Sequence, residues 1–247
     1  MRLQLTSWPE VESYLNRSVG IIVPVGSTEQ HGPTGLIGTD AICAEVLAWR
    51  AGEIADAMVG PTITVGMSEH HMQFPGSVTL RPITLIAVIR DVILSLTRHG
   101  FRRLFFINGH GGNTPSIDAA IFEAYTEAPQ LVTGGDDLRC LNGEWWETPS
   151  AEKLSNELFG DKDGDHASAS EVSIASAAYP DHVKTADLDP QVAPSSHVFG
   201  PGDFRRRYPE GRMGSHPELA TVEAGETIIE AVAADLAKNY AEFLTEE

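Results

Sequence analysis

The feature that most constrains this chain is a junction that occurs twice. A short, wholly apolar run opens into a glycine-punctuated polar segment and then into a helical pattern. Residues 19–25 (VGIIVPV) lead into Gly26-Ser27-Thr28-Glu29-Gln30-His31-Gly32-Pro33 and a helical pattern over 40–54, with Thr39 or Asp40 near its N-cap. Residues 104–107 lead directly into Asn108-Gly109-His110-Gly111-Gly112-Asn113 and a helical pattern over 114–126. Runs without polar alternation suit strands covered on both faces, and parallel strands need crossovers of this length. Residues 59–65 and 131–133 read as further strands, and 84–99 as an amphipathic helix stopped by Gly100. Residues 168–178 and 218–243 read as helices, and the N-terminus as a short strand before a helix capped by Ser7 with Pro9 in its first turn. The alternation predicts one α/β domain over 1–247: three layers, α/β/α, with a mainly parallel central sheet and helices on both faces. No Pro/Gly/Ser linker separates two cores. The least regular stretches, 134–165 and 187–213, read as functional loops or lids.

Composition narrows the function classes. With 42% hydrophobic and 21% charged residues, the 247-residue chain is ordinary for a globular protein. Its formal net charge of -18 argues against nucleic-acid binding, which rests on Lys and Arg neutralising phosphates. The basic triplet Arg205-Arg206-Arg207 reads as a solvated loop, or else as a contact for an anionic group or a subunit. No apolar run approaches the roughly 20 residues that span a bilayer, and the N-terminus lacks a signal-peptide layout. Two cysteines, Cys43 and Cys140, without a CxxC, suit a reducing, cytoplasmic compartment and read as small buried residues.

Chemistry-bearing residues cluster at the predicted strand ends. Positions two apart in extended chain share a side, so Glu29 and His31 can face one space. Asp40 sits where a helix N-terminus favours an ionised carboxylate. Two carboxylates and an imidazole suit a divalent ion such as zinc, manganese or iron. Three glycines around His110 make sense if the backbone must turn sharply to bring that imidazole to a site. The spacing is not that of a dinucleotide or P-loop motif. Both motifs follow strands, where open α/β sheets form ligand crevices.

Further along, His166 reads as a loop residue that acts as acid/base or orients substrate, with a plain loop histidine as the alternative. Glu171 falls in the first turn of the next helix, as a metal ligand or as a capping carboxylate. In Ser68-Glu69-His70-His71, neighbouring histidines should point apart, and His71 is the one assigned to substrate contact, along with Ser68. Trp145 and Trp146 could close over a flat ligand or serve as core or interface aromatics.

Taken together these segments resemble the creatininase family. The resemblance rests on Val25 to Pro33 with Gly38-Thr39-Asp40, Phe74-Pro75-Gly76 and Asn108 to Asn113. His166 with Glu171-Val172-Ser173 and the closing Ala220-Thr221-x-Glu223-x-Gly225 complete it, so it covers nearly the whole chain. It implies two divalent metal ions per subunit and a homo-oligomer, often a hexamer. Carried over by position, Glu29 and His110 would hold one ion and His31 the other, Asp40 would bridge, and Glu171 would complete the second site. The implied activity is hydrolysis of a C–N bond in a small cyclic amide or formamide by a dimetal-activated water, with His166 and Glu171 as catalytic groups and Ser68, His71, Trp145 and His166 around the substrate. A cyclic keto-sugar (inosose) or a peptide is the alternative substrate, and a metal-binding subunit without catalysis the alternative role. Creatininase proper carries tyrosine and glutamate where this chain has Gly111 and Gly112, a glycine pair shared with relatives of other activity.

Overall fold

The computed structural model describes residues 1–246; Glu247 lies outside them. Each apolar run becomes a strand with both faces covered. Strand β1 (Gly20–Val25) is buried throughout, and β3 (Arg103–Asn108) is buried from its second residue on. They pair in parallel from Gly20 opposite Arg103 to Val25 opposite Asn108, so both glycine-rich loops leave the sheet at the same level. With β2 (Met58–Val59) and β4 (Arg139–Glu144), the order is β2-β1-β3-β4, all parallel.

The period of two decides which helices cover which face. Ile22, Phe105 and Ile107 pack with Leu47 of α2 (Thr39–Ile54) and with Val232 and Leu236 of α8 (Val222–Phe243). Ile21, Val23, Leu104 and Phe106 face the other way, onto α3 (Pro82–Arg98) and α4 (Thr114–Leu131). Burying each such side chain contributes about 1.5–3 kcal/mol. The three-layer α/β arrangement expected from sequence is the one observed. The remaining helices are α1 (Trp8–Leu15), α5 (Pro149–Leu158), α6 (Ala169–Ala178) and α7 (Pro201–Arg207). Among the described residues no helix is long and apolar enough to cross a membrane.

Several expectations need correction. The strand expected over 59–65 pairs only at Met58–Val59, with an isolated bridge at Ile63. Pro61 between them has no N–H to continue a ladder. Residues 131–133 are not a strand: α4 runs on to Leu131. The fourth strand is β4, inside the stretch read as irregular; it has no fully buried residue, so it lacks the apolar signature. That stretch also holds α5, whose N-cap Thr148 accepts the Ala151 N–H. At the N-terminus, residues Leu3–Leu5 form a 3-10 turn, and only Arg2 pairs, with Val59. The helix that follows is capped as expected, Ser7 and Glu10 forming a capping box.

The second long loop is held from inside. Buried Arg212 donates to the carbonyls of Pro190, Gln191 and Ser215 and pairs with Glu210, so its charge is fully engaged. The arginine triplet forms the last turn of α7, where Arg206 and Arg207 pair with Asp203.

Candidate metal centre

The loops after β1 and β3 converge on the start of α2. Gly109 makes this approach possible, because a Cβ there would lie 2.2 Å from the Asp40 carbonyl oxygen. The strand end therefore lies against the first turn of α2, and His110 reaches Asp40. Glu29 and His31 are fully buried, and Asp40 and His110 nearly so.

Hydrogen bonds assign the imidazole tautomers. His31 Nδ1–H donates to the Glu29 carbonyl at 3.1 Å, which turns Nε2 toward Asp40 Oδ1 at 3.0 Å and Glu171 Oε1 at 3.8 Å. His110 Nε2–H donates to the Met67 carbonyl at 2.9 Å, and Nδ1 faces Asp40 Oδ2 at 3.3 Å. Each oxygen of Asp40 thus meets a different imidazole. His166 Nε2–H donates to the Gln30 carbonyl at 2.8 Å, leaving Nδ1 directed at Glu29 Oε1, 3.7 Å away. A second hydrogen-bonded group that fixes the ligating nitrogen is a recurrent support of metal-binding histidines.

The carboxylates are supported in the same way. Ser27 and Ser68 both donate to Glu29 Oε2, at 3.1 and 2.5 Å. Asp40 Oδ2, by contrast, is buried without a hydrogen-bond partner. A buried carboxylate oxygen left bare against an imidazole lone pair is costly unless a cation lies between them. The donor set therefore fits a divalent metal. Four overlapping groups of His, Asp and Glu have ligand atoms within 4.8 Å of one another, and Glu29 belongs to three of them.

Electrostatics follow from this crowding. Burial would raise the Glu29 carboxyl, but His110, His71 and His166 outweigh it and hold the group well below the usual carboxylate range. Burial pulls the His31 imidazole down, yet Asp40, Glu171 and Glu29 reverse this and raise it to about 10. Burial lifts Glu171 to about 7 against the pull of His31. His166 is held well below the usual imidazole value by burial and by its neighbours His71 and His31.

The expected residues do not all occupy the expected places. Glu29, His31, Asp40, His110, His166 and Glu171 come together. Glu171 is also a capping residue: it stands third in α6, its Oε1 accepting the Ser168 N–H at 2.6 Å. Ser68, assigned to substrate, is fully buried and points at Glu29 instead. His71 lines a cavity, with Nε2 3.1 Å from Glu29 Oε1. Trp145 is largely buried in the core, and it lines the wall of a second cavity with Trp146, the two indoles nearly perpendicular at 6.0 Å.

His70 and His71 do not point apart. Residues Glu69–His71 form a 3-10 turn, whose residues lie about 120° apart rather than the 180° of a strand, and the two rings sit 4.1 Å from each other. Both line the same cavity. Gln30 was not anticipated either. Its amide nitrogen lies 2.8 Å from His71 Nδ1 and 2.9 Å from the Gly211 carbonyl, while its oxygen accepts the Gly32 N–H. The only sequence signal for it was its place between Glu29 and His31.

Comparison with known proteins agrees with the resemblance. The chain is 29% identical over 237 residues to a creatinine amidohydrolase of Pseudomonas putida, covering 91% of this chain and 90% of that one. It is 26% identical over 255 residues to a 3-dehydro-scyllo-inosose hydrolase of Thermotoga maritima, covering 93% and 79%. A mycofactocin precursor peptide peptidase of Mycolicibacterium smegmatis is 36% identical over 107 residues, covering 41% and 43%. Solved creatininase structures in a manganese form and, for a variant, a zinc–zinc form superpose at TM-scores of 0.84 and 0.85. Their identities are 28% and 27%, with coverage of 99% and 99% in the first case and 99% and 98% in the second. The model of the family described as creatinine amidohydrolase matches residues 4–240, and the chain belongs to this creatininase family of hydrolases.

Proposed function

We propose that the chain is an amidohydrolase dependent on two divalent ions, zinc, manganese or iron, which cleaves a C–N bond in a small cyclic amide or formamide. The observation that carries this reading is Asp40, whose Oδ1 and Oδ2 face His31 and His110 respectively. A carboxylate so placed can bridge two ions, one held with Glu29 and His110, the other with His31 and Glu171. Bound there, such ions supply Lewis-acid polarisation of a carbonyl and lower the pKa of water toward neutrality.

The protein's own groups handle orientation and protons. Ser27 and Ser68 hold Glu29 by Oε2, and Oε1 faces His71 and His166. His166 is held neutral, so its Nδ1 can take a proton from the attacking water and return it to the leaving nitrogen. Glu171, lifted by burial in the metal-free fold, would be held ionised by a bound cation and would serve as its ligand. The C–N bond breaks, the water oxygen joins the acyl carbon, and the nitrogen leaves with the proton. His71 and Trp145 border the space left for substrate. Membership in the family supports a homo-oligomeric assembly, with a hexamer as the specific expectation for light scattering.

Elemental analysis of the purified protein should find about two divalent ions per chain. Hydrolysis of an amide panel should vanish on chelation and return on reloading. Hydrolysis that survives both exhaustive chelation and His110→Ala would overturn the proposal.

A further inference from the structure

The imidazoles around the centre pack on one another. Ring centroids lie 4.6 Å apart between His31 and His166, 4.3 Å between His166 and His71, and 4.1 Å between His71 and His70. One phenylalanine reaches three of these rings. Phe204, from α7, stands 6.1 Å from His166, 4.7 Å from His71 and 5.8 Å from His70. It meets His166 and His71 edge-on, at 82° and 69°, the arrangement that aromatic quadrupoles favour. Phe204 is fully buried, in a small apolar cluster with Phe74 and Tyr208 that is separate from the two covering the sheet. Through it, α7 packs on the Glu69–His71 turn.

The imidazoles differ in what else holds them. His71 is anchored at both nitrogens, by the Gln30 amide at Nδ1 and by Glu29 Oε1 at Nε2. His166 is hydrogen-bonded at Nε2 alone, while its Nδ1 stands 3.7 Å from Glu29 Oε1, beyond hydrogen-bond reach. A ring held at one atom can swing about it, so packing decides where Nδ1 points. The rings that pack on His166 are His31, His71 and Phe204. Of these, His31 and His71 have hydrogen bonds of their own, and Phe204 alone belongs to the 187–213 segment. His70, without a hydrogen bond or ion pair among the described residues, is held by packing only, and Phe204 is part of that packing.

We infer that Phe204 is a positioning residue: packed edge-on against His166 and His71, it aims His166 Nδ1 at the centre and ties the 187–213 segment to the reacting groups. This rests on the proposed amidohydrolase reading for what His166 does there, and on geometry alone for how Phe204 holds it. A leucine in its place would keep an apolar filling but lose the flat ring, and the His166 imidazole would gain room to turn about its hydrogen bond. Misplacing a reacting group by about 1 Å costs on the order of 100-fold in rate. Ordinary core packing makes a different forecast, because Phe74 and Tyr208 share the cluster with Phe204 yet neither ring packs on an imidazole.

The test compares Phe204→Leu with Tyr208→Phe in the full chain. The second change keeps a ring beside Phe204 and removes only the hydrogen bond to the Ser196 carbonyl. In metal-free protein, nitrogen NMR of the parent and of Tyr208→Phe should show His166 with one protonated and one bare ring nitrogen. In Phe204→Leu the two resonances should move toward each other, as the ring leaves its single orientation. With metal loaded, Phe204→Leu should lose about 10–100-fold in kcat on an amide that the parent cleaves, with KM within about threefold and metal content unchanged. Tyr208→Phe should lower Tm yet keep kcat within about threefold. Should Phe204→Leu not fold, Phe204→Met carries the same expectation. Unchanged His166 resonances, an unchanged kcat, a loss carried by KM alone, or an equal loss in Tyr208→Phe would overturn the inference. Failure of the hydrolase reading shows separately: the parent would cleave no amide, while the His166 resonances would still respond to Phe204→Leu.

Discussion

Glu171 Oε1 accepts the Ser168 backbone N–H at 2.6 Å, and the same oxygen stands 3.8 Å from His31 Nε2. One carboxylate oxygen thus closes the capping box of α6 and faces the proposed metal centre. The two duties separate by substitution. Glu171→Gln keeps an oxygen for the Ser168 N–H but removes the charge. It should be no less stable than the parent when metal-free, yet lose metal and at least about 10-fold in kcat/KM. Glu171→Ala should lose both, with about 1 kcal/mol of stability gone, or about 2–4 °C in Tm. Full metal content in the glutamine variant would show that Glu171 only caps.

The two adjacent glycines should respond in opposite ways. A Cβ on Gly112 would lie 2.3 Å from His110 Nε2 and 2.7 Å from the Met67 carbonyl, whose hydrogen bond sets the tautomer of that imidazole. Gly112→Ala should displace His110 and lower metal affinity and kcat/KM by about 10-fold or more, the scale of losing a group that orients a ligand. Gly111→Ala meets open space and should stay close to the parent. Equal losses in the two variants would contradict this account.

Metal loading should release protons. The His31 imidazole is lifted to about 10 in the metal-free fold, after burial is outweighed by Asp40 and Glu171. A pKa raised above the unfolded value near 6.5 stabilises the fold fully below that value, and the contribution fades as pH climbs toward 10. Glu171, raised by burial to about 7 from 4.5, acts in the same sense over its own lower window. Metal-free Tm should therefore fall between about pH 6 and pH 9, and metal-loaded Tm should fall less. Since a ligating imidazole must be unprotonated, loading near neutral pH should expel at least one proton per chain, read by calorimetry in buffers of different ionisation enthalpy. Proton-free binding would rule out His31 Nε2 as the ligand.

Gln30 should act through its neighbours. Because His166 Nε2–H donates to the Gln30 carbonyl, the two amide hydrogens of Gln30 go to His71 Nδ1 and the Gly211 carbonyl. His71 then carries its proton on Nε2, 3.1 Å from Glu29 Oε1. Gln30→Leu should leave that tautomer unset and weaken metal binding about 10–100-fold in chelator competition. It should also cost about 1–3 kcal/mol through unsatisfied buried groups. A variant that is less stable but binds metal normally would reduce Gln30 to a packing role.

Local chemistry in the chain was enough to read the parallel α/β architecture. The runs at 19–25 and 104–107 are apolar without alternation, and only a strand covered on both faces suits them. It was enough, too, to bring Glu29, His31, Asp40 and His110 to one end of the sheet, since each follows a strand or opens a helix. Strand β4 was not legible because an edge strand of Arg, Cys, Leu, Asn, Gly and Glu has no burial pattern to betray it. Tertiary structure alone decided that Ser68 supports Glu29, that Gln30 fixes His71, and that His70 joins His71 in one cavity. Those relationships join residues far apart in the chain or depend on the pitch of a single 3-10 turn. Sequence periodicity carries information about neighbours three or four residues away, whereas the direction of a hydrogen bond between distant loops is set only when the whole sheet is packed.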